Sequence, residues 1–213
     1  RFVGNAGVLA HYVGDASQPL HSSYLHHGRL PMVQLATGEF PVPHDSDEFG
    51  QFKKTREAKI HGIYEQGMLE TDTLGALEAV DDLLAGEHVK SDIDSGYEAA
   101  RAVFDLMSDA QLRLPPEAII DADDPSLTER GRAERLWANT DIRRETVRSL
   151  ADSTLLLARL WASAWRLGKG SQIPKAKLVR IAEADLTSLV KDPKFAPGMT
   201  FDEMVASGRF VVP

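Results

Sequence analysis

The chain has no cysteine among its 213 residues. That excludes disulfides and thiolate metal ligands, so any metal must be held by imidazole and carboxylate. No apolar run approaches the roughly 18 residues needed to span a bilayer as a helix. No internal repeat, no low-complexity tract and few alternating stretches are present, which removes solenoid and all-β classes. Basic residues are outnumbered, with 24 Lys and Arg against 32 Asp and Glu and a formal net charge of −8. A surface of that sign does not displace counterions from duplex DNA, which argues against a non-specific nucleic-acid-binding module. It leaves room for a metal-dependent enzyme, because a bound ion supplies positive charge locally. Hydrophobic residues make up 43% of the chain, enough for one substantial domain with a buried core.

What is present is histidine beside carboxylate at helical spacing. In the run from His11 to His21, His11 and Asp15 are four apart, on one helix face. Pro19 then interrupts the helix and aims His21 back toward the same volume. Further on, His61 and Glu65 repeat the four-residue step. Nitrogen and oxygen donors converging in this way suit zinc better than calcium or magnesium. The competing reading of His11, Asp15 and His21 is a helix end with a capping network around His21.

The pattern His11-Tyr12-Val13-Gly14-Asp15 through Gln18-Pro19-Leu20-His21, followed by His61 and Glu65, resembles the core signature of one superfamily. That superfamily joins the three-zinc nucleases that cut single strands and the bacterial zinc-dependent phospholipases C. The match spans residues 6–69, with a looser similarity from Ala151 to Leu167. The resemblance implies up to three Zn2+ ions. His11 and Asp15 would ligate the first, with Asp15 reaching on to a third, and His21, His61 and Glu65 would hold the second. It also implies zinc-dependent hydrolysis of phosphodiesters by a metal-bridging hydroxide. The substrate would be a phospholipid headgroup or single-stranded nucleic acid, and the protein secreted or periplasmic. Glu65, where the nucleases tend to have Asp, leans toward the phospholipases. The family's remaining ligands precede this motif, and the ten residues before His11 hold no His or Asp. The chain is therefore expected to be a piece of a longer protein, with those ligands upstream. The alternative is a non-catalytic helical relative that binds a ligand or partner on the same scaffold.

The expected class is all-α, a multi-helix bundle of the zinc nuclease and phospholipase C type. Residues 1–170 are expected to form the helical catalytic domain, N-terminally incomplete, and residues 171–213 a helical extension. Helices are predicted over Phe2 to Asp15, Gln51 to Glu70, Thr73 to Ala85, from about Ser91 to Pro115, and over Leu127 to Leu167 as two helices or one bent one. One or two more are predicted between Pro174 and Val190, and Thr200 to Glu203 resembles an N-cap. Residues 28–50 are predicted as a loop without regular structure, and Asp121 to Pro125 as an acidic turn. His26, His27 and His44 are candidate substitute ligands, with a polar, solvated loop the favoured reading. Leu150, Thr154, Leu157, Ala158, Trp161 and Trp165 form the stripe expected to face the core. Gln18 and Tyr64 are candidates to orient the imidazoles.

Overall fold

The computed structural model describes residues 2–177, 182–192 and 206. The all-α expectation holds: helices carry the fold, and a single two-stranded hairpin is the sheet among the described residues. The order is α1 (Phe2–Ala16), β1 (Met32–Leu35), β2 (Gly38–Pro41), α2 (Asp47–Phe52), α3 (Ile60–Gly62), a π-helical turn (Ile63–Gly67) and α4 (Met68–Thr71). Then come α5 (Thr73–Leu84), α6 (Gly96–Arg113), α7 (Pro116–Ala122), α8 (Glu129–Ala138), α9 (Thr140–Leu167) and α10 (Glu183–Val190). No helix among the described residues is long and apolar enough to cross a membrane.

Local sequence explains most of the boundaries. Side chains of Asp72, Ser95, Thr128 and Asn139 accept hydrogen bonds from the first backbone N–H groups of α5, α6, α8 and α9. Each satisfies a donor that has no partner inside its own helix. Asn139 also ends α8, so one residue separates the two helices predicted between Leu127 and Leu167. Gly86, at a φ of +87°, follows α5 where a left-handed residue stops the helix.

The central element is α9, which packs against α1, α5, α6 and α8. Its first half joins α3, the π turn, α4, α5, α7 and α8 around Leu20, Ile60, Tyr64, Met68, Leu136, Ile142 and Val147. Its second half meets α1 and α6 through Leu156, Leu160, Val13, Ala16 and Leu106. The predicted face of α9 needs correction. The fully buried positions are Ile142, Thr146, Val147, Ser149, Ala151, Ser153, Leu156, Leu160 and Ser163, while Thr154 and Trp161 are exposed. Small residues (Thr146, Ser149, Ala151, Ser153 and Ser163) share that buried face with Ile142, Val147, Leu156 and Leu160.

Two further predictions fail locally. Residues 28–50 are not structureless: β1 and β2 pair antiparallel, with Val33 opposite Phe40, and α2 follows with Ser46 as its cap. Leu30, Val42, Phe49, Phe52 and Ala58 bury one another in a small separate core, which is why this stretch orders. The helix predicted from Gln51 to Glu70 is broken after Phe52 and restarts near Glu57. A helix also occupies Pro116–Ala122, with Pro116 in its first turn, where proline lacks no needed donor. In the C-terminal part α10 falls within the segment predicted from Pro174, and the Thr200 to Glu203 cap lies outside the described residues.

Candidate metal centre

The site begins where α1 ends. After Ala16 the chain turns around Gln18, whose side-chain oxygen accepts from the backbone N–H of Leu20 at 2.5 Å and of His21 at 3.3 Å. Pro19 and Leu20 are fully buried beneath that turn. Gln18 therefore shapes the backbone that carries His21, and does not touch an imidazole through that oxygen. On the other side, α3 supplies His61 and the π turn supplies Glu65. π turns inside helices occur often at functional sites. This one is pinned by Tyr64, whose buried hydroxyl is 2.8 Å from Thr146 Oγ1 on α9. Burial raises the Tyr64 pKa, more than its hydrogen bond to Thr146 lowers it. Tyr64 thus anchors the turn to the core, and its hydroxyl is not directed at the imidazoles as the sequence suggested.

Three donor atoms converge. His21 Nε2 lies 2.7 Å from His61 Nε2, His61 Nε2 lies 2.5 Å from Glu65 Oε2, and His21 Nε2 lies 3.4 Å from Glu65 Oε2. Donors on a tetrahedral zinc with bonds near 2.0–2.1 Å sit about 3.3 Å apart. One edge of the triangle matches, and the other two need only a small side-chain rotation. Behind His21, Asp15 Oδ1 stands 3.4 Å from Nδ1, so the carboxylate and the donor triangle address opposite nitrogens of one ring. A carboxylate in that position fixes the tautomer and orientation of a ligating histidine.

Of the five residues singled out in the sequence, His21, His61 and Glu65 meet directly, and Asp15 braces His21. His11 is different. Its ring is 72% exposed and its Nε2 lies 3.3 Å from Asp15 Oδ2, one turn away from the triangle. Of the three histidines named as substitute ligands, His26 is the one that reaches the site. Favoured as solvated loop, it is instead half-buried, its ring tilted 55° against that of His61 with centroids 4.0 Å apart, and 5.4 Å from the His21 ring. Burial, then the nearby charges of His61, His27 and His21, bring its pKa down to about 4. His21, His26 and His61 are close enough to bind one metal ion, as are Asp15, His21 and Glu65. Without the turn geometry, nothing in the sequence sets His26 apart from His27 and His44. His44 matches the expectation, exposed and stacked on Phe49 at 4.4 Å. His27 is half-buried beside it, its pKa lowered by burial and then by Lys53.

A cavity of about 360 Å³ opens beside the triangle, lined by His11, Asp15, Glu65, Gln18 and Ser149 among others. A larger groove of about 870 Å³ runs between the π turn and α8, lined by Lys59, Gln66, Glu129 and Arg130. The smaller one is the better candidate to receive a substrate, because it alone of the two is lined by a donor of the triangle, Glu65, and by Asp15 behind His21.

No family model matches the chain, and no solved structure matches it. The chain is 28% identical over 207 residues to a protein of Bradyrhizobium tropiciagri named as a probable serine protease. The aligned region is 95% of this chain and 25% of that relative, so the chain spans about a quarter of the relative's length. This finding overturns the expected phosphodiesterase activity, of the phospholipase C or nuclease kind, since the name points to a protease. The motif from His11 to His21 was read by its ligands, and ligands alone do not specify which bond is hydrolysed.

Proposed function

We propose that this chain is the metal-holding helical part of a hydrolase, with one zinc ion held by His21, His61 and Glu65. The observation that carries the reading is the convergence of His21 Nε2, His61 Nε2 and Glu65 Oε2 within 3.4 Å of one another. Two imidazoles and a glutamate are the donor set of catalytic zinc in several peptidases, where a fourth position stays open. Zinc bound there supplies a Lewis acid and lowers the pKa of a coordinated water. The chain's own groups hold and aim. Tyr64 fixes the π turn, Gln18 fixes the His21 turn, and Asp15 holds the far nitrogen of His21. The relative's name brings peptide bonds to this chain as the substrate class to test first.

A serine nucleophile is not what this site offers. Ser17 Oγ donates to the Gly14 carbonyl, and Ser22 Oγ accepts from Gln111. None of the hydrogen bonds found among the described residues joins a serine hydroxyl to a histidine ring, the contact a serine–histidine pair requires. The test is zinc content together with hydrolysis of labelled casein. One zinc per chain is expected, with activity lost to a chelator and indifferent to a fluorophosphonate. Activity abolished by the fluorophosphonate and untouched by the chelator overturns the reading, and so does a chain that binds no zinc.

The bracing carboxylate gives a separate prediction. Asp15→Asn keeps the shape but weakens the hold on the Nδ1 side of His21. Zinc affinity is expected to fall about 10–100-fold, the range for outer-shell partners of ligating histidines. Competition with a chromophoric chelator measures it, and an unchanged affinity shows that Asp15 does not orient the ligand.

A further inference from the structure

We propose that His26 is a third imidazole ligand of the ion held by His21 and His61, making the fixed part of the site a three-histidine set. The inference rests on the metal-centre reading above and adds to it a residue outside the motif.

The geometry carries it in two parts. First, a ring nitrogen of His26 lies within 4.8 Å of ring nitrogens of both His21 and His61. Second, its ring centroid stands 4.0 Å from that of His61 and 5.4 Å from that of His21, so three imidazoles border one small volume. A neutral imidazole there offers a lone pair on one ring nitrogen, as a ligating histidine must.

The donor set also sorts by exposure. His21 and His61 have side chains 18% and 25% exposed, and Glu65 is 47% exposed. Three imidazoles on the protein side and one carboxylate on the solvent side leave Glu65 as the donor that water or substrate displaces. Three neutral nitrogens favour a borderline ion such as zinc or cobalt(II) over magnesium or calcium.

The direct test counts imidazoles in the unmutated chain. Histidine ring nitrogens are labelled with ¹⁵N and followed by NMR as zinc is added. Three rings, those of His21, His26 and His61, are expected to move to metal-bound positions together. Two rings moving overturns the inference and leaves the metal centre standing. Three rings moving in a chain without hydrolytic activity supports the inference and overturns the hydrolase reading. No ring moving overturns both. As a second arm, His26→Gln is expected to lower zinc affinity at least about tenfold and to change the visible spectrum of the cobalt(II) form. A cobalt(II) spectrum identical to that of the unmutated chain contradicts a ligand role, whatever the variant does to stability.

Discussion

Arg132→Ala is expected to destabilise the chain by about 3–5 kcal/mol, the cost of leaving a buried charge without its partner. Arg132 on α8 has a side chain 0% exposed, and that of Asp123 is 4% exposed. The pair is bidentate: Nε donates to Asp123 Oδ1 at 2.7 Å and Nη2 to Oδ2 at 2.5 Å. The remaining nitrogen donates to the backbone carbonyl of Arg56 at 2.6 Å. Arg56 in turn donates to the carbonyls of Ser126 and Leu127. The clamp thus ties the segment just before α3 to the connection between α7 and α8. Truncating Arg132 leaves the Asp123 carboxylate buried and frees the backbone four residues before Ile60, where the helix bearing His61 begins. Urea denaturation of the variant measures the loss. An Arg132→Met, Asp123→Leu double variant, which removes both charges, is expected to recover much of it. A loss under about 1 kcal/mol, as at ordinary surface positions, contradicts the clamp.

Removing His61 acts on the other half of the account. His61→Ala deletes the donor shared by the two shortest edges of the triangle. Zinc affinity is expected to fall by more than the roughly 100-fold upper range of outer-shell losses, because a first-shell bond is gone. Stability separates this from simple damage. The His61 ring is 25% exposed and sits at the cleft, so without zinc the variant is expected to unfold within about 1 kcal/mol of the parent. With zinc at 100 times the parent's dissociation constant, the parent gains about 2.7 kcal/mol and the variant almost nothing. Equal stabilisation of parent and variant by zinc contradicts a role for His61 as ligand.

Much of the helical scaffold was legible because its signals are local. The starts predicted at Thr73 and Leu127 fall within two residues of those in the structure, capped by Asp72 and Thr128, while the start predicted at about Ser91 moves to Gly96, where Ser95 caps. His21, His61 and Glu65 were legible because helical spacing and a proline-bent turn converge in a way short-range geometry can anticipate. What was not legible depends on packing between distant segments. The buried face of α9 depends on the four helices that pack around it, which leave Ser149, Ala151 and Ser153 buried and Trp161 exposed. The hairpin at residues 32–41 is held at its base, where Leu30 and Val42 pack with Phe49, Phe52 and Ala58 and Val33 leans on them. His26 joins the site only through the turn that Gln18 and Pro19 shape, and no periodicity marks it. The activity was the least legible of all. Converging donor atoms mark where a metal ion could bind, whereas the bond to be cleaved is chosen by the cavity beside them.

The central claim is that His21 and His61 share one ion, and anomalous diffraction at the zinc edge from crystals of the chain grown with zinc tests it most directly. The account predicts a single strong peak within about 2.1 Å of both His21 Nε2 and His61 Nε2. A peak elsewhere, or bound zinc that bridges neither ring, contradicts it.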